Sequence, residues 1–213
     1  FDYIMQIKKK YMPNILTSSR ILLTPVFLYF LFSDFSHSKL IALVVFMVAS
    51  ITDAFDGFYA RKHNLVSKFG TFFDPLADKL LVLSAFYGFM FIPILSTEVK
   101  LWMIILISFR DIVVTLLRMI MEYKGITMVT SKVSKMKTAL QLSTIIFILI
   151  YLILFSYNIS YWQLFSEEFI LIYDESLSIL YFCMIATTLV TFYTGLHYFY
   201  YNYKSLGQSL FQK

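Results

Sequence analysis

The 213-residue sequence predicts an all-α integral membrane protein with six transmembrane helices, a short N-terminal amphipathic segment and both termini in the cytoplasm. Three observations carry this fold class. Hydrophobic residues make up 59% of the chain and charged residues 15%, against roughly 25% charged in a soluble domain. The mean hydropathy is +0.73, and the apolar residues fall in repeated runs of about 20, enough to cross the hydrocarbon core. Charge between the runs is strongly biased to one side. A soluble globular domain is excluded, and the 23 Phe and 16 Tyr suit rings that face lipid and its interfaces.

The elements follow in order. Residues 1–12, FDYIMQIKKKYM, are too short and mixed to span. They read as an amphipathic juxtamembrane segment with its lysines toward anionic headgroups, the alternative being a frayed terminus. Residues 13–213 form one transmembrane domain, with helices predicted at 14–33, 38–60, 74–95, 101–123, 134–157 and 176–203. The second helix ends in Asp53 and Asp56. The third opens at Asp74-Pro75, an N-cap and first-turn signal. Arg110, Asp111 and Arg118 interrupt the fourth, and lysines open the fifth. Tyr193, Tyr198, Tyr200, Tyr201 and Tyr203 crowd the end of the sixth as an interfacial belt. There is no internal repeat or low-complexity tract. No cleavable signal peptide is expected, and the start at Phe1 rather than Met suggests a few residues upstream. The lone Cys183 excludes an internal disulfide and reads as a small core or lipid-facing residue.

Loop charges set the orientation. Lys8, Lys9, Lys10, Arg61, Lys62, Lys68, Lys124, Lys132, Lys135, Lys137, Lys204 and Lys213 share one side. The other has Lys39 and Lys100 together with Asp34, Glu98, Glu167, Glu168, Asp174 and Glu175. The positive-inside rule places the first group in the cytoplasm, and with it the acidic ends of the second and third helices. The net charge of +5 follows from this topology and from anionic lipid; there is no nucleic-acid motif and no nucleic-acid partner is expected.

The chemistry lies in Asp53-x2-Asp56-Gly57-x2-Ala60-Arg61-x8-Gly70-x3-Asp74-x3-Asp78. On a helix Asp53, Asp56, Gly57 and Ala60 share a face with Arg61 at its edge, and Asp74 and Asp78 stack likewise on the next helix. A short basic loop over 61–73 makes these helices antiparallel neighbours, so four carboxylates converge at a membrane boundary where charge is costly. Hard oxygen ligands suit Mg²⁺ or Mn²⁺, and four carboxylates can hold two ions. Gly57 and Ala60 leave room for a ligand against the helix, Arg61 can fork onto a phosphate, and Gly70 lets the backbone turn around it. The substrate expected is an anionic diphosphate. Helix capping by Asp74 would explain one aspartate and not the other three.

These residues, at these gaps, resemble the signature of the CDP-alcohol phosphotransferase family at every fixed position. The likeness extends to Pro13-Asn14-Ile15-Leu16-Thr17-x2-Arg20 and Asp74-Pro75-Leu76-Ala77-Asp78-Lys79, and covers nearly the whole chain. Within the family the chain is most similar to the branch of phosphatidylglycerophosphate synthases, through Arg110-Asp111-Ile112, Leu117-Arg118 and Lys135-Met136-Lys137-Thr138-x2-Gln141. Two departures are Asp111, where many of that branch have Glu, and Ser134, where Gly often stands. An Arg-Asp pair also resembles the related cardiolipin synthases that use CDP-diacylglycerol.

The resemblance implies transfer of the phosphatidyl group from CDP-diacylglycerol to sn-glycerol 3-phosphate, giving phosphatidylglycerophosphate and CMP in the plasma (inner) membrane of a bacterium. It implies metal ligation by Asp53, Asp56, Asp74 and Asp78, with Asp78 also the general base for the glycerol 1-hydroxyl. Gly57, Ala60, Arg61 and Gly70, helped by Asn14 and Thr17, would hold the cytidine diphosphate. Arg110, Arg118, Lys135 and Lys137 are the candidates for the acceptor phosphate, and the family implies a homodimer. An arginine deep in a membrane needs a partner, so the other reading of Arg110 is a bridge to Asp111. For the lysines the other reading is a topology signal. An intramembrane prenyltransferase and an ion-coupled transporter are the competing classes. The Gly-x2-Ala-Arg-x8-Gly spacing disfavours the first, and acids collected at one face disfavour the second.

Overall fold

The computed structural model describes residues 19–63, 68–125, 132–157 and 179–211. For 53–63, 68–76, 78, 122, 132–135 and 204–211 it describes the backbone alone. The expected amphipathic segment 1–12, Asn14 and Thr17 lie outside the described residues. Six α-helices occur among the described residues: α1 (Ser19–Phe32), α2 (Ser38–His63), α3 (Lys68–Met90), α4 (Leu101–Tyr123), α5 (Lys132–Ser156) and α6 (Ile179–Phe211). No strand occurs among the described residues. Each helix falls where the apolar runs predict one, and α4 has the predicted ends.

The other ends differ in informative ways. The expected loop over 61–73 is mostly helix, since α2 runs to His63 and α3 starts at Lys68. Asp74 is therefore not an N-cap, and Pro75 lies inside α3, where its missing N–H removes one helical bond. Arg61 and Gly70 sit within helices rather than at a helix end and in a loop. The apolar-aromatic stretch Phe69–Phe73 (broken only by Gly70 and Thr71) is already helical ahead of Pro75, where local rules place the helix start. At its far end α3 stops at Met90, and Pro93 opens a 3₁₀ turn over Pro93–Leu95. α6 runs on to Phe211, eight residues past the predicted end, because no proline interrupts it.

The chain divides into two compact units, Phe1–Gly88 with Leu149–Tyr157, and Phe89–Ile148 with Asn158–Lys213. In the first, Phe27 of α1 meets Phe46 of α2 with ring centroids 5.6 Å apart, both fully buried. Ala42, Phe46 and Ala49 repeat at helical spacing on the buried face of α2. Gly88 of α3 lies so close to α1 that an added Cβ would stand 2.8 Å from Leu31 Cδ2. The α1–α2 turn is held by Lys39, whose Nζ donates to the carbonyls of Leu31 at 2.6 Å and Ser33 at 2.9 Å. This cation satisfies carbonyls at the end of α1, which accounts for a lysine on the otherwise acidic side.

The second unit packs α4 along α6. α4 is apolar outward and charged inward: Phe109 is 68% exposed while Asp111, two residues on, is 0% exposed. Leu101, Ile105, Ile112, Leu116 and Ile120 continue the exposed stripe at helical spacing. An apolar outer surface over a charged interior matches a lipid environment. By length and composition, Met136–Ser156 in α5 and Ile179–Tyr203 in α6 are long and apolar enough to cross a membrane. One expected belt residue is not in the belt. Tyr198 is 3% exposed and faces the interior, while Tyr193, Tyr200, Tyr201 and Tyr203 remain exposed.

Phe46→Ala removes the ring that locks α1 to α2 and should cost about 3 kcal/mol, through lost packing and the cavity left behind. Thermal unfolding of the detergent-solubilised protein measures it. A midpoint equal to that of the parent chain contradicts the assigned packing.

Candidate functional site

Two groups of residues carry chemistry, one in each unit. The aspartates lie on α2 and α3, which are separated by four residues, 64–67. Counted from the connection, Asp56 lies seven residues before His63 and Asp74 six residues after Lys68, about 10 Å along each helix. Asp53 and Asp78 each lie ten residues from it, about 15 Å. Asp56 and Asp74 thus lie at similar distances from the ends of their helices, as do Asp53 and Asp78, with Gly57, Ala60, Arg61 and Gly70 nearer those ends. Their side chains lie outside the described groups. Four carboxylates on paired helices are a hard-oxygen donor set whose chemistry fits Mg²⁺ or Mn²⁺.

The second group is a buried ionic cluster between α4 and α5. Asp111 accepts from Lys137 Nζ at 2.5 Å and from Arg110 Nη1 at 3.2 Å, both on Oδ1. Its Oδ2 accepts from Gln141 Nε2 at 3.3 Å. Asp111, Lys137 and Gln141 are all buried, and the Arg110 side chain is 10% exposed. Lys137 and Gln141 are four apart on α5, so one face delivers both to the same carboxylate. Arg118 and Tyr198 lie within electrostatic reach of Arg110. Among the described residues, one carboxylate here faces two directly bonded cations.

Arg110 is only partly used. Its Nε and Nη2, along one edge of the guanidinium, are buried with no hydrogen-bond partner among the described residues. That edge is the fork which takes two oxygens of a phosphate or carboxylate. Arg110 also lies against the α6 backbone at Gly195, along its Cγ, Nε and Cδ. Of the two readings of Arg110, the bridge to Asp111 is present and engages Nη1, while the Nε–Nη2 edge has no partner among the described residues. Lys137 is not a topology signal, being 2% exposed and bonded to Asp111. The Lys135 side chain lies outside the described groups. The structure adds Asp111 and Gln141 to the expected set. Their signal was the i, i+4 spacing of Lys137 and Gln141 and an acid next to a membrane arginine.

A family model described as CDP-alcohol phosphatidyltransferase matches residues 10–172. The chain belongs to the CDP-alcohol phosphatidyltransferase family. That match takes in both the aspartate helices and the Asp111 cluster, and stops before α6. The chain is 36% identical over 143 residues to a Bacillus subtilis (strain 168) protein named CDP-diacylglycerol–glycerol-3-phosphate 3-phosphatidyltransferase, covering 62% of this chain and 72% of that one. A Rickettsia typhi (strain ATCC VR-144 / Wilmington) protein of the same name is 39% identical over 134 residues, with the same coverage of each. A probable phosphatidylglycerophosphate synthase from Mycobacterium tuberculosis (strain CDC 1551 / Oshkosh) is 37% identical over 131 residues, 60% of each chain.

Asp111→Asn leaves two buried cations short of a counter-charge and should destabilise the fold by about 3–5 kcal/mol. Adding Lys137→Gln should recover part of that loss, since the second change removes one stranded charge. Denaturation midpoints of the single and double variants measure the coupling. Equal and additive losses contradict the cluster.

Proposed function

We propose that the chain transfers the phosphatidyl group of CDP-diacylglycerol to sn-glycerol 3-phosphate, giving phosphatidylglycerophosphate and CMP. The observation that carries this reading is the free, buried guanidinium edge of Arg110, in a family member 36–39% identical to proteins named for that reaction. A bidentate cationic edge in an apolar interior calls for a dianion such as a phosphate monoester. Arg110, supported by Lys137 and with Arg118 and Lys135 in the same set, binds the acceptor phosphate and leaves its 1-hydroxyl for reaction.

Donor binding falls to the α2–α3 hairpin. Asp53, Asp56, Asp74 and Asp78 would hold two divalent ions, Mg²⁺ or Mn²⁺, which when bound neutralise the diphosphate and stabilise charge on departing CMP. Gly57 and Ala60 leave space along α2 for the cytidine diphosphate. Arg61, Gly70, Asn14 and Thr17 complete its binding. Asp78 accepts the proton of the acceptor hydroxyl as that oxygen bonds to the phosphorus bearing the diacylglycerol. The bond from that phosphorus to the CMP oxygen breaks, and CMP leaves with the electron pair.

The membrane arrangement belongs to the same proposal. Residues 13–213 span the inner membrane of a bacterium six times as a homodimer, with both termini and the aspartates at the cytoplasmic face, where glycerol 3-phosphate and CMP are soluble. The charge bias of the loops supports that orientation. Surface lipids and the 1–12 segment complete the partners.

Purified protein offered CDP-diacylglycerol with glycerol 3-phosphate, phosphatidylglycerol, inositol or serine should release CMP with the first alone. Release only with phosphatidylglycerol would make it a cardiolipin synthase. Asp78→Asn should abolish turnover while leaving CDP-diacylglycerol binding largely intact; near-normal turnover overturns the role given to Asp78. Chelation of divalent ions should stop CMP release and their return restore it, with no membrane gradient required.

A further inference from the structure

We propose that Gly195 of α6 is a positioning residue for acceptor recognition: by lacking a side chain, it seats Arg110 with its Nε–Nη2 edge directed to a phosphate monoester. The inference rests on the reading of Arg110 given above, and it concerns a helix beyond the family-matched residues. A Cβ at position 195 would stand 2.8 Å from Arg110 Cγ, 3.6 Å from Nε and 3.8 Å from Cδ. Cγ is close to the root of the side chain, so no rotation of the guanidinium alone relieves that contact. The whole side chain would have to leave its rotamer.

Arg110 is thus fixed at two points. The α6 backbone holds the aliphatic stem at Gly195, and Asp111 holds Nη1 at 3.2 Å. What remains is the bidentate edge, buried and without a partner among the described residues. Gly195 is helical and its φ is not in the left-handed region, so its backbone conformation does not require glycine. In a helix interior glycine is less favourable than alanine. Close approach of Arg110 is the remaining physical reason for glycine here. The face around it is polar too. Thr191, one turn earlier, is 1% exposed and its hydroxyl has no partner among the described residues, whereas Thr187, Thr188 and Thr194 bond to α6 carbonyls.

Gly195→Ala tests this with opposed readouts. The glycerol 3-phosphate KM should rise about tenfold or more, since small misplacements of a binding group have effects of this size. The CDP-diacylglycerol KM should stay level, and the unfolding midpoint should fall, since displacing Arg110 strains its bond to the buried Asp111. On an Arg110→Ala background, where no Cγ remains to be displaced, Gly195→Ala should have no further effect on acceptor KM. An unchanged acceptor KM, equal losses for both substrates, or additive effects in that cycle overturn the proposal. Should Arg110→Ala not fold, Gly195→Ala is compared on glycerol 3-phosphate and on glycerol. A loss confined to the phosphorylated acceptor supports the seat, and equal losses overturn it. Should the parent chain not use glycerol 3-phosphate, the proposed function falls by itself. The seat is then read from stabilisation by inorganic phosphate, which Gly195→Ala must lose and whose retention overturns it.

Discussion

An arginine and a lysine inside an apolar bundle are unfavourable unless a counter-charge meets them, and Asp111 is that counter-charge. Its two oxygens take Lys137, Arg110 and Gln141, so that one carboxylate ties the middle of α4 to the start of α5. Removing either class of partner alone strands charge in a medium that solvates it poorly. The cluster is organised around an imbalance as well as a bond. Two cations share one carboxylate oxygen, and the second edge of the guanidinium stays open. Structure and the proposed recognition therefore depend on the same residues, because the contact that makes Arg110 tolerable also orients its remaining donors.

The aspartates solve a different problem with the same economy of means. Their spacing in sequence becomes height along two helices, Asp53 and Asp56 on α2 and Asp74 and Asp78 on α3. Helix positions hold ligating groups more rigidly than loops do. The extension of α2 to His63 and of α3 back to Lys68 puts Arg61 and Gly70 on these rigid segments as well. The small residues are then a matter of space beside a helix rather than freedom in a loop.

Much of this was legible in the sequence, for identifiable reasons. Apolar runs placed each of the described helices, and the fixed gaps between Asp53 and Asp78 carried the family likeness. Local rules failed where tertiary context prevailed. Asp74-Pro75 has the form of a helix start, yet the aromatic stretch before it is helical. Tyr198 has the composition of an interfacial belt residue, but the period of α6 turns it inward beside Arg110. Lys137 reads as a cytoplasmic lysine until Gln141 and Asp111 are seen on the same buried contact. Gly195 carried no local signal, since only the approach of another helix gives a lone interior glycine its meaning.

The central claim is that the free edge of Arg110 binds the acceptor through its phosphate. Calorimetric titration of the purified protein with glycerol 3-phosphate and with glycerol, repeated on Arg110→Gln, tests it most directly. The account predicts measurable binding of glycerol 3-phosphate alone, weakened at least about tenfold in the variant, in line with loss of a charge-assisted bidentate contact. Equal affinity of the two proteins for glycerol 3-phosphate would contradict it.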